Sequence, residues 1–291
     1  MKQFNRPDSG RFFYFCRMAD LHPIGVFDSG YGGLTVLRSI VNKLPQYDYL
    51  YLGDNARAPY GSRSFDTVYH YTLECVRYFY KQGCKLVVLA CNTASAKALR
   101  TIQQNDLSSI DSSFRVLGVI RPTTERIGNM SKSKHVGILG TKGTVTSQSY
   151  PIEIEKFSPD VAVVQHACPM WVPLIENYEY NGGGVDYFIK RDIEELLSED
   201  PAIDTILLAC THYPILLDKI RKYTPNNVQV LSQGEIVANS LADYLDRHPE
   251  IEKECTKGGS RIFMTTDSTE DFDAHASIFY GQPVKSLHVH I

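Results

Sequence analysis

The sequence predicts an α/β fold of two similar, pseudo-symmetric domains with mostly parallel sheets and the active site in the cleft between them. The stretches 86–95 and 205–214 each begin with a run rich in Val, Ile and Leu that ends in Ala-Cys. Such runs are too short for a helix and are typical of strands buried on both faces of a parallel sheet. Cys91 and Cys210 are therefore expected where a strand ends, the usual place for ligand sites in open α/β sheets.

The composition is that of an ordinary soluble globular protein. The 291 residues are enough for two domains, and the formal net charge of −3 offers no basic face to nucleic acid or to an anionic membrane. No apolar run approaches the ~20 residues of a membrane helix. Seven cysteines, an odd number without the spacing of a disulfide framework, predict a reducing compartment, the cytoplasm.

Residues 1–23 are predicted to form an N-terminal extension. The apolar patch at residues 12–15 is too short for the ~7–15-residue core of a signal peptide. Residues 1–17 are expected to add nothing to the fold.

The first domain is predicted to begin with a strand at residues 24–27. Asp28-Ser29 and a Gly-rich turn at 30–33 follow, and a helix begins at Leu34. A strand, a turn and a helix start form a crevice in which backbone N–H groups can hold an anion. The alternative is a tight turn that needs the φ range of glycine. The Asp28-Ser29 pair at the end of the strand favours a binding site over a plain turn.

Further elements alternate along the first half of the chain. The pattern predicts elements in this order: a strand at 49–53, a polar loop at 54–64, a helix at 65–82, the Cys91 strand, a helix at 94–102 and a strand at 116–120 that stops at Pro122.

The second half repeats this order. Residues 136–144 resemble the Gly-rich segment 24–32, and a strand at 161–165, a helix at 185–198 and the Cys210 strand come next. The tail predicts a strand at 228–231, a helix at 235–247 and a strand at 261–265, and it is expected to return to the first domain. The predicted domains are thus 24–117 plus 228–291, and 118–227.

Six motifs together resemble the glutamate racemases, of the aspartate/glutamate racemase superfamily. They lie at residues 24–34, 53–62, 90–96, 140–147, 168–176 and 209–214. Cys-Asn-Thr at residues 91–93, Cys-Thr-His at residues 210–212 and the upstream pair Asp28-Ser29 together make a specific combination. Two departures stand out: many members have Glu before the proline of Arg121-Pro122, and many have Asp-Ser near Ser232-Gln233.

The resemblance implies a cofactor-independent enzyme that interconverts L- and D-glutamate and supplies D-glutamate for peptidoglycan, and so for cell wall biogenesis and cell shape. It implies an enzyme that needs no cofactor. We also expect no bound metal, a location in the cytoplasm and a homodimer.

The resemblance also implies the roles of individual residues. Cys210 and Cys91 match the proton acceptor and donor, on the L and D faces of the substrate respectively, and Glu176 matches an auxiliary acid. Asp28 and His212 are expected to adjust the pKa values of the two thiols. The positions that match substrate contacts are Asp28, Ser29, Tyr60, Gly61, Asn92, Thr93, Thr141, Thr144, Thr211 and His212.

Other interpretations of these residues remain open. Cysteines at strand ends are often small buried hydrophobes, which is the interpretation for Cys75, Cys84, Cys255 and Cys168. His212 alone is more often structural. Cys210-Thr-His212 lacks the paired ligands of a zinc site.

Two alternative functions remain. The chain could be a racemase of aspartate or another acidic amino acid, or a catalytically idle amino-acid-binding homologue or protein-partner regulator, since some family members are reported to act on DNA gyrase. A pure binder needs no pair of thiols, and an assay on L-glutamate and L-aspartate separates the three functions.

Overall fold

The computed structural model describes residues 21–291, which form two sheets of parallel strands. The strands are β1 (Ile24–Asp28), β2 (Tyr49–Gly53), β3 (Leu86–Leu89), β4 (Arg115–Gly118), β5 (His135–Gly140), β6 (Ala162–Ala167), β7 (Thr205–Ala209), β8 (Gln229–Ser232), β9 (Arg261–Thr265) and β10 (Ser286–His288).

Strand order shows the repeat that the sequence predicts. The first sheet has the order β10-β9-β2-β1-β3-β4 and the second has the order β6-β5-β7-β8. Within each half, four consecutive strands are thus arranged second, first, third, fourth. Every strand pair is parallel, so the strand ends that bear the two thiols are equivalent. The predicted fold of two similar α/β halves is confirmed.

Helices cover both sheets. They are α1 (Leu34–Lys43), α2 (Phe65–Lys81), α3 (Asn92–Lys97), α4 (Leu99–Thr101), α5 (Leu107–Ile110), α6 (Ile120–Met130), α7 (Lys142–Thr146), α8 (Ser149–Phe157), α9 (Trp171–Glu176), α10 (Gly183–Glu199), α11 (Leu217–Tyr223), α12 (Gly234–Arg247), α13 (Pro249–Glu252) and α14 (Thr269–Tyr280), with a π-helical segment at Ile102–Asp106 and 3-10 turns at Asn55–Arg57, Glu179–Asn181 and Tyr213–Leu216.

The core lies where the apolar runs of the sequence place it. All residues of β1, β2, β3 and β7 are buried, as expected for strands covered on both faces. On α2, the predicted apolar face is buried, and the Ser64 hydroxyl accepts from the Thr67 N–H at 3.2 Å and caps the helix.

Two expectations about the chain path are wrong. The strand near residue 228 does not return to the first sheet, because β8 pairs with β7 as β4 pairs with β3. The tail rejoins the first sheet only at β9, beside β2. Pro122 does not stop a strand; it lies in the first turn of α6, where a missing N–H costs no helical hydrogen bond. The domain division itself stays a prediction.

At the N-terminal end, the description begins inside the predicted extension, of which residues 1–20 lie outside the described part. The His22 carbonyl accepts from the Thr256 N–H at 3.0 Å, so residues next to β1 contact the fold. Among residues 21–291, no helix is long and apolar enough to cross a membrane.

Candidate active site

The two predicted catalytic thiols line one cavity of about 260 Å³, and each comes from a different half. Cys91 follows β3 and is the N-cap residue of α3. Cys210 directly follows β7, the equivalent strand of the second half. Parallel strands bring their carboxyl ends to one edge of a sheet, and the two edges face each other across this cavity.

Most of the predicted site residues also line this cavity. They are Ser29, Tyr60, Gly61, Cys91, Asn92, Thr93, Thr141, Glu176, Cys210, Thr211 and His212. Asp28 and Thr144 are fully buried and lie behind the wall.

Cys91 is held in a buried environment beside a hydroxyl. Its sulfur lies 3.6 Å from Oγ of Ser29, and only 6% of the residue is exposed. Burial and the nearby Asp28 carboxylate raise the pKa of the Cys91 thiol to about 12. The thiol is therefore neutral near pH 7, which suits a proton donor.

Cys210 has a different neighbourhood, because an imidazole lies beside its sulfur. Nδ1 of His212 is 3.9 Å from Sγ of Cys210, and Nε2 of His212 is 3.1 Å from Oε1 of Glu176. Burial acts to lower the pKa of His212, but the hydrogen bonds with Cys210 and Glu176 raise it to about 10. The imidazole is thus positively charged near pH 7 and lies beside the Cys210 sulfur.

Asp28 bridges the two halves rather than facing the cavity. Oδ1 accepts from the Gly30 N–H at 2.9 Å, and Oδ2 accepts from the Thr211 hydroxyl at 3.3 Å. Burial raises the pKa of the Asp28 carboxyl, although the charge of His212 acts in the opposite direction. Asp28 therefore couples electrostatically to both thiol environments.

Glycine is needed at position 32 of the Gly-rich turn because the other half of the protein approaches its backbone closely. The backbone there does not use the positive φ range that favours glycine. Gly32 has no positive φ, whereas a Cβ there would lie 2.3 Å from Oγ1 of Thr211 and 2.4 Å from Nδ1 of His212. A side chain at this position would push the two halves apart at the site.

A cluster of threonines forms another part of the wall. Oγ1 of Thr93 lies 3.0 Å from Oγ1 of Thr141 and 3.5 Å from Oγ1 of Thr144. The hydroxyl of Thr144 also lies 3.2 Å from that of Thr141, so Thr144 supports the other two from behind. The Gly61 carbonyl accepts from the Gly143 N–H at 2.8 Å and joins the two halves here.

Several residues at the site were not among the predicted site residues, and one of them, Cys168, was interpreted as a buried hydrophobe. Lys142, Cys168 and Val172 also line the cavity. Gln233 and Tyr150 hydrogen-bond to Asn92 from behind. The first three adjoin or lie within motifs that carry the resemblance, but no local signal marks Tyr150.

One group of side chains in the described range 21–291 places metal-ligating atoms together. These atoms of His166, Cys168 and Asp192 lie within 4.8 Å of one another. Two N–H groups of Arg191 already donate to Oδ1 of Asp192, and their positive charge opposes a cation. The group includes neither Cys91 nor Cys210.

Comparisons with known proteins agree with this geometry. Residues 24–241 match the family model described as Asp/Glu/Hydantoin racemase. A glutamate racemase from Geobacter metallireducens is 38% identical over 258 residues, which cover 89% of this chain and 92% of that protein. One from Roseobacter denitrificans is 40% identical over 272 residues, 90% of this chain and 98% of that protein.

Solved structures are similar over nearly the whole chain. A glutamate racemase isoform from Bacillus anthracis has a TM-score of 0.84 and 32% identity, with 94% of this chain and 98% of that chain covered. The Francisella tularensis glutamate racemase in complex with D-glutamate has a TM-score of 0.81 and 30% identity, with the same coverage. The chain belongs to the glutamate racemases, within the family of Asp/Glu/hydantoin racemases.

Proposed function

We propose that this protein interconverts L- and D-glutamate by moving protons at Cα between two thiols, without a cofactor. The observation that carries the proposal is the placement of Cys91 and Cys210, one from each half, on a single cavity. Racemisation removes a proton from one face of Cα and delivers one to the other face. A base on each side does this without turning the substrate over.

The two thiols differ in a way that suits one direction of the reaction. The charged His212 supports Cys210 as the base that takes the Cα proton of L-glutamate, and the neutral Cys91 thiol donates its proton to the opposite face. The product is D-glutamate, and the enzyme then holds a protonated Cys210 and a Cys91 thiolate. Cys210 then releases its proton to solvent and Cys91 takes one up from solvent, which restores the starting state. D-glutamate reacts by the same steps in reverse.

Hydrogen-bond donors around the cavity stabilise the carbanion. Ser29 and Thr93, each with a hydroxyl, line the same space as the two thiols, whereas the hydroxyl of Thr211 already donates to Asp28. Preorganised dipoles of this kind stabilise developing charge without reorganising during the reaction. The backbone N–H of Ala94, in the first turn of α3, hydrogen-bonds to the Cys91 sulfur and favours its thiolate form.

The biological setting is part of the same proposal. D-glutamate made by this protein would serve peptidoglycan synthesis, as the resemblance implies, and the free cysteines of the described chain fit the reducing cytoplasm. A homodimer remains our expectation. Aspartate or another acidic amino acid is the alternative substrate, and an assay of both substrates distinguishes them.

Isotope exchange in D2O tests the two-thiol mechanism. Early in the reaction of L-glutamate, the D-glutamate formed should carry deuterium at Cα, because the second thiol delivers a solvent-derived proton. The remaining L-glutamate should keep protium. Cys91→Ser and Cys210→Ser should each abolish racemisation, since a hydroxyl is far too weak an acid to replace a thiol. Product that retains protium at low conversion, or a serine variant with near-normal rate, would overturn the mechanism.

A further inference from the structure

Three buried polar side chains behind the cavity form a closed ring of hydrogen bonds. Asn92 Nδ2 donates to Gln233 Oε1 at 2.7 Å, and Gln233 Nε2 donates to the Tyr150 hydroxyl at 2.7 Å. The Tyr150 hydroxyl donates to Asn92 Oδ1 at 2.6 Å and completes the ring. Each group donates to the next in the same sense, so all three support one arrangement.

The ring fixes the orientation of a side chain that reaches the cavity. Asn92 is the first residue of α3, follows Cys91 and lines the cavity. Turning its amide by 180° would place Nδ2 against the Tyr150 hydroxyl and Oδ1 against Gln233 Oε1, which cannot donate. The ring residues are almost fully buried, with exposed fractions of 3% for Asn92, 0% for Tyr150 and 4% for Gln233. Water therefore does not replace a lost bond easily.

The same ring also contacts the two places where the chain passes from one half to the other, after β4 and after β8. Gln233 follows β8, and Val119 follows β4, its equivalent in the first half. Gln233 Nε2 also donates to the Thr123 hydroxyl at 3.0 Å and lies 3.2 Å from the Val119 carbonyl oxygen. One amide thus connects the two crossing points of the backbone to a side chain on the cavity wall.

We propose that Gln233 and Tyr150 are positioning residues that hold the Asn92 amide in one orientation and couple it to the relative placement of the two halves. The inference rests on the proposed racemase function. Neither side chain lines the cavity, so both act through Asn92. Small displacements of positioning groups cost large factors in rate because the reacting geometry is lost.

A double-mutant cycle tests this role. Gln233→Met keeps the length of the side chain and removes all its polar atoms, and Tyr150→Phe removes one oxygen. We expect kcat/KM for glutamate to fall about ten- to a hundredfold in both directions for Gln233→Met. In an Asn92→Ala background the same change should cost less than about twofold, because the residue through which Gln233 acts is already gone.

Gln229→Met is the matched control. Gln229 lies on β8 and its amide also bonds a threonine and a backbone carbonyl, those of Thr205 and Met130. This change should leave kcat/KM unchanged. Wild-type kcat/KM for Gln233→Met, or a loss that is equally large with and without Asn92, would overturn the proposal. If Gln233→Met does not fold, as judged by circular dichroism, the cycle with Tyr150→Phe decides in the same way.

A second measurement does not depend on activity. The side-chain amide protons of Asn92 are observed by ¹⁵N NMR and assigned by their loss in Asn92→Ala. Their exchange with solvent should accelerate at least tenfold in Tyr150→Phe and stay unchanged in Gln229→Met. Unchanged exchange in Tyr150→Phe contradicts the ring. A wild-type protein that does not racemise glutamate instead contradicts the proposed function, so the two failures are distinguishable.

Discussion

Nε2 of His212 lies 3.1 Å from Oε1 of Glu176, and this pair decides the charge next to Cys210. The imidazole is almost fully buried, and burial alone disfavours its charged form. The carboxylate on one side and the sulfur on the other reverse that preference and raise the pKa of His212 to about 10. A buried positive charge is thus held beside the thiol that we assign to the L face of the substrate.

The facial assignment predicts opposite asymmetries for two variants. His212→Asn should lower kcat from L-glutamate more than kcat from D-glutamate, and Asp28→Asn should do the reverse. The overall equilibrium fixes the ratio of the two kcat/KM values, so the asymmetry must be sought in kcat or in primary isotope effects. Steady-state assays from both enantiomers measure it. If both variants respond alike, the facial assignment is wrong.

Removal of the Glu176 charge should act through His212. Glu176→Gln keeps the shape and one oxygen but removes the carboxylate that holds the imidazole charged, so we expect kcat from L-glutamate to fall about tenfold or more. Glu179→Gln removes the same charge from an exposed position nearby and is the control. Equal kcat values of the two variants would show that the Glu176 charge does not contribute to the reaction.

His212 should also make the folded state less stable as the pH rises. Its folded pKa of about 10 lies above the ordinary value of 6.5, so its stabilising effect is complete below pH 6.5 and is lost as the pH rises towards 10. One proton corresponds to at most about 1.4 kcal/mol per pH unit in the free energy of unfolding. Urea denaturation between pH 6.5 and 9 should show a steeper decline for wild type than for His212→Asn. Parallel curves would rule out the raised pKa.

Gly32→Ala tests the close approach of the two halves. The added Cβ would collide with Thr211 and His212, so we expect glutamate racemisation to fall at least a hundredfold. Gly183→Ala at the start of α10 meets no atom within 4 Å and should leave activity unchanged while the melting temperature stays the same or rises. Assays and melting curves of both variants make the comparison. A fully active Gly32→Ala protein would mean that the turn does not need this contact.

Local patterns determined the elements and the positions of the thiols. The predicted bounds of β2 and β9 agree with the structure, because an apolar run and its flanking turn residues are neighbours along the chain. The repeat of an Ala-Cys strand end predicted that Cys91 and Cys210 occupy equivalent places, and they do. The short strand β10 and the helix α14 were not predicted, since neither stands out by apolar periodicity alone.

Tertiary structure decided which strand pairs with which and what surrounds each functional group. An apolar run at residues 228–231 fits either sheet, and only pairing with β7 places β8 in the second. Three close contacts at the site join residues that are far apart in the sequence. They are the hydrogen bond from Thr211 to Asp28, the close approach of Gly32 to Thr211 and the hydrogen bond from Asn92 to Gln233. Distances and burial of this kind arise when the chain folds, and they fix the charges on which the chemistry depends. The amino-acid order therefore determined which groups we propose to react, whereas their protonation and orientation depend on long-range packing.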